Sequence, residues 1–482
     1  METVMREYSF AKSAEYEKQI SMETPINTAE RGGIGRVLSV EAEAKLTGAE
    51  LMAGEASVGG KVNFRVLYLD AAGKLCGLDY FKDFEAKVEG EAIAADGKYR
   101  VDLTVVDCGH SVQGDVMNVS AVVDVRLCVQ VIETKEGVAS VDGAELLTEM
   151  GLFEQLTEIR ASSVELLAEE KVQGVVKKVL LFDVAAALSG SKGAGEARAT
   201  VLYLTEDDEV GECDLIIPFA EEEDATGSSA YDVRVKNARV VISGDEDVSA
   251  IETEITLSRT AYDYAVEETE VVKDVFSYQC ASSVALETVR ARRFIGEAHY
   301  RETLGGTVET VGDIIAVRPV GLAVAGTEIS DGRIRAEGVA SFTLLCRNDE
   351  GYASTQGELP FIYELPFPNA AAGDVATVRV DVLGVKGRGA GEITAEVAIS
   401  ADVQREVVGS FVTEIAEGAP REDDGAGISV YFAETGEGLW SIAKEMGVAP
   451  SALVRANPFL AEPLTEPKKV LVFKGKTAEI QS

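Results

Sequence analysis

Lys61–Asp70 reads KVNFRVLYLD, and the segment recurs twice further along the chain. Glu196–Thr205 reads EARATVLYLT, which repeats VLYL 135 positions on, and Val339–Asn348 reads VASFTLLCRN. Alternation places Val62, Phe64, Val66 and Tyr68 on one face of the first strand. The matching faces are Ala197, Ala199, Val201 and Tyr203 in the second copy, and Ala340, Phe342, Leu344 and Cys346 in the third. The same face is apolar each time, as a half-buried strand requires. Each copy leads through a charged or Gly-containing turn into an apolar run, at Leu78–Ala86, Asp214–Glu222 and Glu358–Phe367. Tyr68 to Phe84 and Tyr203 to Phe219 are both sixteen residues apart, so the first two copies keep one hairpin register.

Working outward, each copy is preceded by a further alternating stretch (IGRVLSVEAEAKLTG, VKKVLLFDVAAALSG, GDIIAVRPVGLAVAG) and followed by two more. Strand, turn, strand with Gly and Asp at the breaks reads as antiparallel β. The fold class expected is mainly β: three repeated antiparallel modules at 31–133, 172–265 and 311–412, each of roughly a hundred residues. Residues 1–30 read as a leader, and 134–171 and 266–310 as connectors. Glu145–Glu169 fits both the helical and the strand period, so the connectors are open between the two. The polar stretch AEGAPREDDGAG at 416–427 reads as a linker. Beyond it, 428–482 has a strand, a Gly turn, two short helices and a closing strand, a small βααβ domain.

The chain has 482 residues, with 45 Lys+Arg against 83 Asp+Glu, a formal net charge of −38. A field of that sign repels phosphate backbones and anionic lipid headgroups. The 428–482 segment has six acidic and six basic residues, so all of the net charge belongs to what precedes it. No apolar run approaches the ~18–20 residues of a membrane-spanning helix. The opening METVMREYSFAKSAEYEK has no apolar core of the kind an export signal needs.

No residue set carries catalysis. The sequence has no Gly-x-Ser-x-Gly elbow, His-Glu-x-x-His or Walker A pattern. Its only histidines, His110 and His299, fall in separate parts of the chain. Gly59-Gly60-Lys61-Val62 comes near a phosphate loop but has Val where the metal-binding hydroxyl belongs, and reads as a β-turn. The six cysteines lie at least twenty positions apart, which suits free buried thiols and no zinc site. The acidic clusters Glu206–Glu209, Glu221–Asp224, Asp245–Asp247 and Glu422–Asp424 lack the spacing of a calcium loop and read as solvated loops. No catalytic residue, metal or cofactor is expected.

The tail resembles the LysM family through Tyr431, Gly436-Glu437-Gly438-Leu439, Trp440-Ser441-Ile442-Ala443, Gly447-Val448, Leu453 to Asn457, and Val470 to Phe473. That resemblance implies binding of N-acetylglucosamine polymers, mainly peptidoglycan, in a groove between two loops. Carried over by position, the groove or docking residues are Gly436, Glu437, Gly438, Asn457, Pro458 and Phe459. Leu439, Trp440, Ile442 and Val470 read as core. Glu437-Gly438 replaces the family's Asp-Thr and loses a hydroxyl that could cap the helix. The lead into the last strand is Thr465-Glu466-Pro467-Lys468 where the family has a Pro-Gly-Gln-like turn. The three β units resemble the SPOCS module of spore-forming bacteria, on the VLYLD-type strand and on Pro218-Phe219 and Pro360-Phe361. SPOCS modules followed by LysM imply a spore coat morphogenesis protein of the mother-cell cytoplasm, recruited to the forespore surface. Two roles are thereby expected: a non-enzymatic scaffold whose LysM tail docks on a coat morphogenetic protein, or a peptidoglycan-binding anchor. No nucleic acid partner and no integral membrane segment are expected.

Overall fold

The recurring segment is the middle strand of a three-stranded sheet in each third of the chain. The computed structural model describes residues 2–189, 192–221, 228–244, 248–389, 391–421, 427–460 and 464–473. The first unit contains β1 (Thr3–Asn27), β2 (Arg36–Met52), β3 (Glu55–Leu69), β4 (Leu75–Glu89), β5 (Lys98–Gln113) and β6 (Val116–Val141). It makes two antiparallel sheets, ordered β2-β3-β4 and β1-β6-β5. The second unit repeats this with β7 (Ala144–Gln173), β8 (Val176–Leu188), β9 (Gly195–Thr205), β10 (Val210–Phe219), β11 (Ser228–Gly244) and β12 (Val248–Ser277). Its sheets are β8-β9-β10 and β7-β12-β11. The third has β13 (Cys280–Thr307), β14 (Asp313–Ser330), β15 (Arg333–Asn348), β16 (Gly351–Pro366), β17 (Val375–Arg388) and β18 (Glu392–Pro420), paired as β14-β15-β16 and β13-β18-β17.

The two sheets of each unit close over one core. In the first, Val62, Phe64 and Val66 of β3 meet Val119, Val123 and Leu127 of β6. None of the twelve residues expected on the inward face of the recurring strand is more than 8% exposed. Burying each Val, Leu or Phe contributes about 1.5–3 kcal/mol. The opposite face departs from expectation, since Asn63, Arg65 and Leu67 are buried as well. The strand is covered on both sides because the three units meet there. Leu67, Leu202 and Leu345, at equivalent positions, share a cluster with Leu38, Leu181 and Ala316.

Gly59 and Gly60 are not a turn, as their dipeptide suggested, but lie inside β3. The segments read as leader and connectors are outer strands. β1 pairs with β6, β7 with β12 and β13 with β18, each over more than twenty residue pairs. Ala416–Pro420, read as linker, extends β18, whose last pair is Cys280↔Pro420. The stretch open between helix and strand, Glu145–Glu169, lies within β7, because pairing to β12 satisfies its backbone and packing overrides helix propensity. These pairs outrun their sandwiches as three two-stranded ribbons that share an apolar axis. Tyr8, Phe10, Val271, Val289 and Phe411 form one layer, and Val138, Val141, Val272, Val275 and Val412 the next.

Two ionic junctions also cross between units. Glu41, Asp183 and Arg318 hold equivalent places on β2, β8 and β14. Arg65 Nη1 and Arg318 Nη2 reach Asp183 at 2.6 and 3.1 Å, and both Nε atoms lie 3.7 Å from Glu41. At the second junction β5, β11 and β17 carry Arg100-Val101-Asp102, Asp232-Val233-Arg234 and Arg379-Val380-Asp381, with the charges in reverse order in the middle unit. Arg379 reaches Asp232 at 2.6 Å, Arg234 reaches Asp102 at 2.8 Å, and Arg100 reaches Asp402 at 3.5 Å. Among the described residues no helix is long and apolar enough to cross a membrane.

Candidate functional site

The tail runs β19 (Ile428–Ala433), α1 (Leu439–Met446), α2 (Pro450–Ala456) and β20 (Lys468–Phe473), the expected order. β19 and β20 pair antiparallel from Ile428↔Phe473 to Ala433↔Lys468. Ala433, Ile442, Ala443, Leu453, Val470 and Val472 fill its core. Gly447 ends α1 in the left-handed region at φ 66°, and Pro450 opens α2 at its first turn, where a missing N–H costs nothing. Gly438, at the N-cap of α1, supplies no side-chain cap.

The six expected site residues divide into two kinds. Asn457 is fully buried and structural: its Nδ2 donates to the carbonyls of Leu453 and Leu471 at 2.9 and 2.7 Å, and its Oδ1 accepts from the Leu471 N–H at 2.8 Å. It clips α2 to β20 and presents nothing outward. Glu437 is occupied within the loop, accepting from the Tyr431 hydroxyl at 2.6 Å and from the Glu434 N–H at 3.0 Å. That carboxylate, with burial and Glu445 adding to it, pushes the Tyr431 hydroxyl above its ordinary range. Gly436, at φ 88°, donates its N–H to the Leu464 carbonyl at 2.8 Å, and the Leu464 N–H returns to Glu437 O at 3.4 Å. The two loops are thus tied together through Leu464, beyond Phe459. Pro458 and Phe459 are exposed, Phe459 to 53%, with Lys468 Nζ 5.9 Å from its ring centroid.

The contact that sequence reasoning missed lies on the other side of α1. Trp440, expected in the tail core, is only half-buried there and turns to the end of β12. Its indole N–H donates to Asp274 Oδ2 at 2.7 Å, and its ring meets Phe276 at 5.0 Å between centroids. Lys444, one turn on, reaches Asp274 Oδ1 at 2.5 Å. Arg421 fastens the same joint, donating to the carbonyls of Ser277, Lys444 and Glu445. Phe276 is fully buried within the tail's own cluster. The i, i+4 spacing of Trp440 and Lys444 marks a shared helical face in the sequence, but nothing local points to a carboxylate 166 residues away.

The remaining enclosures are small. A cavity of about 40 Å³ at the second ionic junction is lined by Arg100, Asp232, Glu297, His299, Arg379 and Asp402, among others. That is room for one to a few waters at roughly 10–15 Å³ each. Among the described residues no group of three or more His, Cys, Asp or Glu side chains is placed to hold a metal. Of the acidic clusters, Asp208 is paired to Lys177 at 2.6 Å, while Glu222–Asp224, Asp245–Asp247 and Glu422–Asp424 lie outside the described residues.

No curated protein and no solved structure matches the chain. Residues 33–113, from just before β2 to the end of β5, match the family model described as SipL, SPOCS domain, which ties the first unit to a domain family of sporulation proteins.

Proposed function

We propose that the chain is a non-enzymatic scaffold of spore coat assembly, in which three acidic β units form the body and a LysM-like tail docks on a coat morphogenetic protein at the forespore surface. The observation that carries this reading is the clamp of Trp440 and Lys444 on Asp274, which gives the tail one fixed orientation on the body. A fixed tail suits a part that sets the geometry of an assembly. The SPOCS match over 33–113 supports the link to sporulation, and a mother-cell location follows from the same reading. Because Glu437 and Asn457 are engaged within the tail, few polar groups of the expected groove are left to hold a saccharide. No catalytic residue or cofactor enters the proposal.

A second reading, peptidoglycan capture, is favoured by one feature: Phe459 is an exposed ring beside Pro458 on an expected groove loop. Sedimentation with purified peptidoglycan sacculi separates the two. The scaffold reading expects the full-length protein to stay in the supernatant while a glycan-binding LysM control pellets. Pelleting of the full-length protein, lost in Phe459→Ser, would transfer the function to the glycan reading.

A further inference from the structure

The outer face of the tail's two-stranded sheet breaks the rule that a solvated strand face is polar. The register Ile428↔Phe473, Val430↔Leu471 and Phe432↔Lys469 places five large apolar side chains and one lysine on that face. Ile428 is 60% exposed, Val430 48%, Phe432 68%, Leu471 41% and Phe473 50%, although the tail is docked on the body. The Lys469 ammonium lies 5.5 Å from the Phe432 ring centroid. The inward-pointing Ala433, Val470 and Val472 behind this face are buried, so the five side chains stand on a fixed backing.

We infer that this face is where two copies of the chain meet, sheet against sheet about a twofold axis. Charge selects the place. The net charge of −38 lies entirely before residue 428, so any contact between two bodies sets like charge against like, whereas the tail is neutral. Symmetry agrees, because a twofold contact sets the same patch against itself, and face-to-face packing of sheets is how each unit of the body is built. The exposed apolar area comes to roughly 500 Å², at the upper end of the ~300–600 Å² of the largest patch on a typical monomer. Two such faces together cover roughly 1,000 Å², the lower limit for a specific interface. The dimer is therefore weak and reversible, and it strengthens with salt as the repulsion between bodies is screened. The inference goes beyond the scaffold reading and does not depend on it.

Sedimentation velocity of the full-length protein across the micromolar range, at low and at high salt, tests the inference. Expected is a concentration-dependent rise to the mass of two chains, larger at high salt. Replacing Val430 and Leu471 together by Asp should weaken association at least tenfold. The emission of Trp440, the only tryptophan, should not move if the tail stays folded and docked. Should the aspartates shift that emission, the milder pair Val430→Thr and Leu471→Thr, which keeps β-forming residues, takes their place and must also weaken association. Wild-type protein that keeps the mass of one chain at both salts overturns the inference, as does association unchanged in a folded variant. Pelleting of a monomeric wild type with phosphatidylcholine vesicles would overturn it too, and would assign the face to a lipid surface.

Discussion

Gly338 and Phe361 face each other across β15 and β16, and a Cβ on the glycine would lie 2.5 Å from the end of the ring and 2.1 Å from the Ala323 carbonyl oxygen. The relation recurs at Gly195 with Phe219 and at Gly60 with Phe84. In each unit a phenylalanine lies over a strand glycine that precedes the recurring segment, so close approach is what the glycine supplies. Gly338→Ala should cost about 1–3 kcal/mol, since a backbone carbonyl must move. Gly60→Ala should cost less, because its nearest neighbours belong to the partly exposed Phe84 ring. Gly48→Ala, with nothing within 4 Å, should be neutral or mildly stabilising. Urea denaturation of the three variants checks the order.

Arg318 is 3% exposed and serves two carboxylates of other units, Asp183 and Glu41. Arg318→Met should cost about 3–5 kcal/mol, since it leaves two buried acids to Arg65 alone. Adding Glu41→Leu should return part of that loss. Additive losses in the double variant would show that the pair is not coupled.

Asp402 is held at about 6, because burial outweighs the attraction of Arg100 while Glu297 raises it further. A carboxyl whose folded value lies above its unfolded one binds its proton more tightly when folded. It therefore favours folding below the unfolded value, and this contribution is lost as pH rises to about 6. Asp402→Asn should leave stability unchanged below about pH 4 and raise it by about 1–3 kcal/mol above pH 6. Asp232 behaves oppositely. Its carboxyl is held low, despite burial, by Arg379, Arg234 and Arg100, so its contribution is present at neutral pH and lost in strong acid. Thermal melts from pH 4 to 8 distinguish wild type from Asp402→Asn.

Asp274→Ala removes the shared acceptor of Trp440 and Lys444. Docking should weaken by about 1–3 kcal/mol, the cost of leaving such donors unpaired. With a single tryptophan in the chain, a red shift of its emission at unchanged far-ultraviolet circular dichroism reports undocking without unfolding. An unmoved emission would place the hold of the tail in Arg421 and Phe276 instead.

The inward face of VLYL was legible because period two is written into the strand itself, from Val62 to Tyr68. The other face was not, since what buries Leu67 is Leu202 and Leu345, equivalent residues of distant units. That 1–30 and the connectors form outer strands was not legible for a related reason. β1 and β7 are strands because β6 and β12, dozens of positions further along the chain, pair with them, and periodicity alone holds no record of a partner. In the tail the element order and the uncapped Gly438 were readable locally. Asn457 was read as a groove residue, yet its three hydrogen bonds go to its own fold, and Trp440, which does pack against the tail core, also covers Asp274, a surface an aromatic does not announce.

The reversed charges of the middle unit have a consequence for the ancestry of the chain. Were Asp232-Val233-Arg234 written in the order of its neighbours, three arginines would converge where Asp232 now sits between Arg100 and Arg379. The inverted order sets a carboxylate between the arginines of the outer two units, so the middle unit is electrostatically distinct from its neighbours. The inversion turns a repeat into an ordered set of parts, in which the second is no longer interchangeable with the first and third.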